Sequence, residues 1–314
     1  MTIKILAIFF LIILFFLLSK SADLIVLNLR KTGEKLKIKI FILGIILGIM
    51  TSAPEMAIGI NSALAGVSDM SFGNLMGGII VMFGLILGFS SILNRKIKTE
   101  KKSWTFLITL TTLFIPLILA FKGRLDEIDG IIMILSYIAM IYILYNKNKK
   151  LDIPKIEIVN IKEITKHIFF ILIGIILLIL ISDLIVKTTI FILEGYNISP
   201  FIIGLIFYSL GTNLPELIIA IRSFKRNVEE LSFSNLIGSS LGNILMLGVL
   251  SFIKPINIEI DIAYFFLMLF MISLFILIYI FYRTDRLLSR KEGYVLVLMY
   301  LVFIGGQLLI QFSF

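Results

Sequence analysis

Thr51-Ser52-Ala53-Pro54-Glu55 lies inside an apolar run over 38–65, and Thr212-Asn213-Leu214-Pro215-Glu216 lies inside another over 200–221. A carboxylate deep in a bilayer is costly, so an intramembrane Glu marks function by default. A proline beside it removes a helix hydrogen bond and frees backbone carbonyls. Two such copies in opposite halves of one chain predict a midplane ion site built from broken helices.

The rest of the chain agrees with a membrane setting. Of its 314 residues 59% are hydrophobic, against about 45–50% in soluble domains. They fall in runs close to the roughly 20 residues that cross a bilayer, so the fold class is an all-α polytopic membrane protein. With no cysteine, neither a disulfide nor a thiolate metal site is available. The single histidine, His167, stands at a predicted helix start and reads as interfacial rather than as a zinc ligand. The net charge of +9 would suit nucleic acid, but the basic residues recur between apolar spans, as they do in cytoplasmic loops. The N-terminal run resembles a signal peptide with cleavage near Ala22. Against that, it continues into Ala22-Asp23-Leu24-Ile25-Val26, which is echoed later in the chain. No nucleophile–base pair or cofactor loop argues for an enzyme, and no cofactor is expected.

Ten spans are predicted: 4–29, 38–65, 71–93, 104–122 and 128–146, then 167–193, 199–222, 231–252, 259–282 and 292–311. The organisation is a first five-helix repeat over 1–146, a polar linker over 147–166 and a second repeat over 167–314. The odd-numbered connections carry 23 Lys and Arg residues and the even-numbered ones three, Lys122, Arg124 and Lys254. That bias predicts a plasma-membrane protein with both termini extracellular and the linker cytoplasmic. Five spans per half is odd, so the halves cross in opposite senses, as inverted repeats. Matched blocks support this. Ser21-Ala-Asp-Leu-Ile-Val26 pairs with Ile181-Ser-Asp-Leu-Ile-Val186. The two Glu motifs pair, and Ser71-Phe-Gly-Asn-Leu-Met-Gly77 pairs with Ser232-Phe-Ser-Asn-Leu-Ile-Gly238, both at an offset of 161 residues.

Glu55 and Glu216 are read as cation ligands rather than as acids paired with a buried base, since Arg222 lies six residues past Glu216. Carbonyls of Thr51 and Thr212, one turn before each Glu, and side-chain oxygens of Ser52, Asn213, Ser239 and Asn243 complete a hard donor set. Such a set suits Na⁺, or Ca²⁺ with its roughly 6–8 oxygens, and suits soft metals poorly. Two close carboxylates also tend to hold a proton, which makes H⁺ a competitor or counter-ion. Two readings stand for the small residues Gly73, Gly77, Gly78 and Gly84 and their counterparts around Gly238: close helix packing, or room for an ion. Asp23 and Asp183 are read either as structural or as lining ion access, with Lys187 a partner for Asp183. Trp104 is read as an interfacial anchor.

These blocks resemble the two α-repeats of the cation/calcium exchangers, most closely the prokaryotic sodium/calcium exchanger branch, whose pattern is G-T-S-x-P-E followed by G-N-x-x-G-S-N. Gly211-Thr-Asn-Leu-Pro-Glu216 and Asn235-Leu-Ile-Gly-Ser-Ser240 are the nearer copies. The resemblance implies exchange of Na⁺ for Ca²⁺ by alternating access, with Glu55 and Glu216 as shared carboxylates and Thr51 and Thr212 giving carbonyls to Ca²⁺. It also implies that two short helices, the first of each half, slide past a rigid core of the other eight. The alternatives are cation/proton exchange on the same two acids and a non-transporting ion sensor. Departures are Met50 for a Gly, Gly78 and Asn213 for Ser, Met82 for a polar residue and Asn243 for an Asp. Gly44 to Thr51 is seven residues where Gly204 to Thr212 is eight. The expectation is a Ca²⁺ site kept intact with its peripheral Na⁺ ligands thinned.

Overall fold

The computed structural model describes residues 2–35, 49–94, 96–98, 103–147, 161–196, 198–214, 216–217, 229–284 and 287–313. The start of the predicted 38–65 span, the end of the 199–222 span, Pro215 and most of the 147–166 linker lie outside the described residues. In chain order the helices are α1 (Thr2–Lys35), α2 (Ala53–Leu64), α3 (Ser68–Ile80), α4 (Leu87–Asn94), α5 (Ser103–Leu113), α6 (Ile115–Ala120) and α7 (Glu127–Lys147). The second half has α8 (Ile161–Leu193), α9 (Pro200–Ile203), α10 (Ser209–Thr212), α11 (Glu229–Ile253), α12 (Ile262–Thr284) and α13 (Arg290–Ser313). Two π-helical turns, Val81–Ile86 and Gly204–Tyr208, join α3 to α4 and α9 to α10. Among the described residues seven helical stretches are long and apolar enough to cross a membrane, with two shorter apolar ones, Trp104–Ala120 and Pro200–Thr212.

Proline and glycine decide where helices run on and where they stop. Helices α1 and α8 contain no proline and one glycine each, and run for 34 and 33 residues. The first helix of each half is therefore long, contrary to the short sliding helix that the resemblance implied. The predicted 104–122 span is split at Phe114, because Pro116 in the first turn of α6 cannot donate back into α5. Gly66 and Gly195 close the turns after α2 and α8 at φ 83° and 82°, a region that side-chain-bearing residues rarely enter.

Close glycine contacts set the packing. A Cβ on Gly73 would lie 2.2 Å from the Phe201 carbonyl oxygen, and one on Gly204 2.1 Å from that of Met70, so α3 crosses α9 backbone to backbone. Gly88 of α4 faces Gly293 of α13, and Gly130 of α7 faces Gly248 of α11. Gly174 lets α8 close on Ser21 and Ile25 of α1. Two short antiparallel pairs tie the connections together: β1 (Lys96–Lys98) with β4 (Leu287–Ser289), and β2 (Arg124–Leu125) with β3 (Ile256–Asn257). Phe72, Phe201 and Tyr264 stack at the centre, and the Tyr264 hydroxyl donates to the Leu117 carbonyl.

Polarity is arranged as a bilayer requires. Phe9, Leu180, Leu269 and Leu298 point outward more than half exposed, while Asn74, Ser209, Ser240 and Asn243 are fully buried. Trp104 is exposed at the start of α5, as expected of an interfacial anchor.

Candidate functional site

Each glutamate follows a break in its helix. Ser52 has φ −88° and ψ 11°, and Asn213 has φ −89° and ψ 12°. An α-helix holds ψ near about −42°, so the two segments leave helical geometry in the same way three residues before Glu55 and Glu216. Pro54 sits in the first turn of α2, where its missing N–H costs least.

The breaks turn both acids inward. Glu55 is 1% exposed and Glu216 2%. Glu55 lies within electrostatic reach of Glu216 and of the Thr212 hydroxyl, which brings the two halves of the chain to one point. The crossing of α3 over α9 carries Asn74 to Thr212, whose Oγ1 is 3.3 Å from Asn74 Oδ1 and 3.0 Å from the Tyr208 carbonyl. On the other side, Thr51 Oγ1 is 3.5 Å from Ser239 Oγ.

The two asparagines are held by their nitrogen ends. Asn213 Nδ2 donates to the Ser209 carbonyl at 2.8 Å, and Asn243 Nδ2 donates to the Leu75 carbonyl at 3.0 Å. Gly78 sits between them: a Cβ there would lie 2.8 Å from Asn243 Nδ2 and 3.1 Å from Asn213 Nδ2. Anchored in this way, Asn213 Oδ1 and Asn243 Oδ1 have no hydrogen-bond partner among the described residues, and neither have Glu55 Oε2 and Glu216 Oε2. Four buried acceptors with no donor run against the rule that buried polar atoms are satisfied. Carboxylate and amide oxygens of this kind are ligands for a hard cation.

The structure thus brings together Glu55, Glu216, Thr212 and Asn213, with Thr51 and Ser52 just before α2 and Ser239 and Asn243 on α11 buried or half-buried. Sequence reasoning gave Asn74 no role, although it stands inside a matched block. Gly78, which stands where the family pattern has a Ser, makes the space in which two amides stand. Met82 is engaged by Ser240, whose Oγ is 3.0 Å from the sulfur and 2.8 Å from the Leu236 carbonyl. For Gly73 and Gly77 the packing reading holds, since backbone carbonyls occupy the space a Cβ would need. His167 contacts Asn28 of α1 at 2.8 Å, joining α8 to α1.

Comparison with known proteins gives the family. The sodium/calcium exchanger MaX1 of Methanosarcina acetivorans is 25% identical over 331 residues, covering 91% of this chain and 94% of that protein. The solved structure of the sodium-calcium exchanger NCX_Mj superposes with a TM-score of 0.66 at 24% identity, over 96% of this chain and 98% of that one. The H⁺/Ca²⁺ exchanger CAX superposes with a TM-score of 0.75 at 15% identity, over 98% and 88%. At such identities these two likenesses speak to the fold. The profile of the family described as "Sodium/calcium exchanger protein" matches residues 6–146 and 166–309, and on that match the chain belongs to the sodium/calcium exchanger protein family.

Proposed function

We propose that this protein is a plasma-membrane antiporter that exchanges Na⁺ for Ca²⁺ by alternating access, at a midplane site built on Glu55 and Glu216. The observation that carries the reading is a set of four buried oxygens with no hydrogen-bond partner among the described residues: Glu55 Oε2, Glu216 Oε2, Asn213 Oδ1 and Asn243 Oδ1. Two carboxylates supply the charge that a divalent ion needs, and neutral amide and hydroxyl oxygens fill its shell. Thr51, Ser52, Thr212 and Ser239 belong to that shell on this reading.

The same reading takes the fold as ten spans in two inverted five-helix repeats, divided by the 147–166 linker. The matching breaks at Ser52 and Asn213 support it. So do the glycine contacts, because an offset close to 161 residues carries the Gly88–Gly293 pair onto the Gly248–Gly130 pair. The two small sheets are exchanged by the same operation. Both termini face outward and the linker faces the cytoplasm, from the Lys and Arg bias of the connections.

The test is uptake of radiolabelled Ca²⁺ into proteoliposomes against an outward Na⁺ gradient at fixed pH. Uptake that needs the Na⁺ gradient is the expected result. Uptake driven by a pH gradient without Na⁺ would replace it with cation/proton exchange. Ca²⁺ binding without flux would make the protein a sensor.

A further inference from the structure

Away from the glutamates, α5 and α6 run beside α12 and leave a groove of about 510 Å³ between them. Leu107, Phe114 and Ile118 form one wall, and Ile272, Ile276 and Tyr279 the other. Phe114 meets Phe275 edge-on at 5.7 Å and closes the floor. Thr111 also lines the groove, and its hydroxyl is spent on the Ile108 carbonyl at 2.9 Å. Ile118 and Ile276 are 66% and 55% exposed at the rim, so the groove opens to the outside of the bundle. Helix α12 is long and apolar enough to cross a membrane, which makes that outside lipid. The lining of α12 runs from Met268 to Tyr279, a rise of about 16 Å. That is about half of a hydrocarbon core of about 30 Å, the depth that an acyl chain reaches from one face.

The two ends of the groove differ in charge. Arg283 follows Tyr279 by one turn, on the helix face that Ile272 and Ile276 share. Trp104 precedes Leu107 by one turn on the opposite wall. Phe106 stacks on Tyr282 at 4.3 Å, which holds these two helix ends together, and both Trp104 and Arg283 are exposed there. Beyond them β1 pairs with β4, Lys96 opposite Ser289, and so draws the connections 95–102 and 283–291 to the same end. In sequence these carry nine Lys and Arg residues, five and four, against Glu100 and Asp285. Arg283, Arg290 and Lys291 are exposed, and none of them is in an ion pair among the described residues. At the other end Lys122, one turn past Ile118, is paired with Asp126 and Asp129 at 2.8 Å each.

We infer that this groove is a binding site for an anionic phospholipid, with one acyl chain between α5–α6 and α12 and the phosphate at Arg283 beside Trp104. An apolar slot one leaflet deep takes the chain. A basic end with uncommitted cations takes the headgroup, as basic pockets between spans do. Arginine suits a phosphate because its planar fork can give two parallel hydrogen bonds, and tryptophan settles at headgroup level. A second copy of the chain fits less well. A two-fold axis along the membrane normal would set two such basic ends side by side. The site stands apart from Glu55 and Glu216 and holds whichever cation they carry.

The experiment is native mass spectrometry of the full chain in detergent, titrated with phosphatidylglycerol or with phosphatidylcholine of the same acyl chains. One phosphatidylglycerol should bind per chain, about five-fold or more tighter than phosphatidylcholine. Arg283→Gln should remove that preference, while Lys31→Gln, at an exposed cation on α1, should keep it. Ile276→Trp, which fills the groove, should weaken both lipids. Arg283→Gln changes an exposed side chain, so its melting midpoint without added lipid should equal that of the wild type and separate lost binding from lost folding. Equal affinity for the two lipids overturns the inference, as does a preference that survives Arg283→Gln. Phosphatidylglycerol binding that survives Ile276→Trp would place the lipid on the basic surface alone. A dimer that added phosphatidylglycerol does not dissociate, and that Ile276→Trp does, would give the groove to a second copy instead.

Discussion

At the scale of single residues the site is a charge problem. On the proposed reading Glu55 and Glu216 are its two acids, and a unit charge opposed at about 4 Å is worth about 4 kcal/mol at an effective dielectric of about 20. Glu55→Gln or Glu216→Gln alone should therefore weaken Ca²⁺ binding by at least about 100-fold, as measured by isothermal titration. Unchanged affinity in either variant would remove the proposed site. Gly78 offers a subtler change. Its Cβ would meet the amide nitrogens of Asn243 and Asn213, so their hydrogen bonds to the Leu75 and Ser209 carbonyls would have to give. Gly78→Ala should alter ion affinity several-fold and lower the melting midpoint, by less than a Cβ set against backbone would. Much of this was legible in the sequence, because an acid next to a proline in an apolar run is chemically conspicuous. The roles of Asn74 and Gly78 were not. They depend on how α3 crosses α9, a long-range contact that leaves no local signal.

At the scale of helices the contrast is between glycines that face side chains and glycines that face backbone. A Cβ on Gly77 would lie 2.2 Å from the Leu205 carbonyl oxygen, and backbone cannot move aside as an amide can. Gly73→Ala or Gly77→Ala should force α3 away from α9 and the π-helical turn after it, at a cost of about 1–3 kcal/mol. The reading is a lower melting midpoint in detergent, with Ca²⁺ affinity lost alongside because Asn74 moves with the helix. Stability equal to that of the wild type would mean that the crossing is not tight. Element positions were mostly readable from apolar runs, since seven predicted spans reappear as long apolar helices. The split at Pro116 and the π-helical turns at Val81–Ile86 and Gly204–Tyr208 do not show in those runs. A π turn depends on the helix packed against it, and periodicity alone does not reveal it.

At the scale of the whole molecule, charge distribution sets both orientation and coupling. Asp152→Cys in the linker should resist an impermeant thiol reagent in right-side-out vesicles, while Tyr196→Cys, exposed after α8, should react. The background is clean because the chain has no cysteine. The opposite pattern would invert the topology. Coupling follows from the charges the site can balance. Glu55 and Glu216 offset one Ca²⁺ or two Na⁺, and the positions around them are neutral: Asn213 and Asn243 are amides, Gly78 has no side chain, and Met82 is engaged by Ser240. Asp23 does not alter the balance, since Lys20 accompanies it. A third Na⁺ would bring uncompensated charge into a buried site, which costs several kcal/mol. The expected coupling is therefore about two Na⁺ per Ca²⁺, with no net charge moved. Proteoliposomes held at several membrane potentials, with Na⁺ gradients stepped at each, measure this directly. Flux that is indifferent to voltage agrees with the charge count. A reversal potential that tracks the Na⁺ gradient with a coupling of three or more would show that water and backbone carbonyls hold an ion the two glutamates do not neutralise.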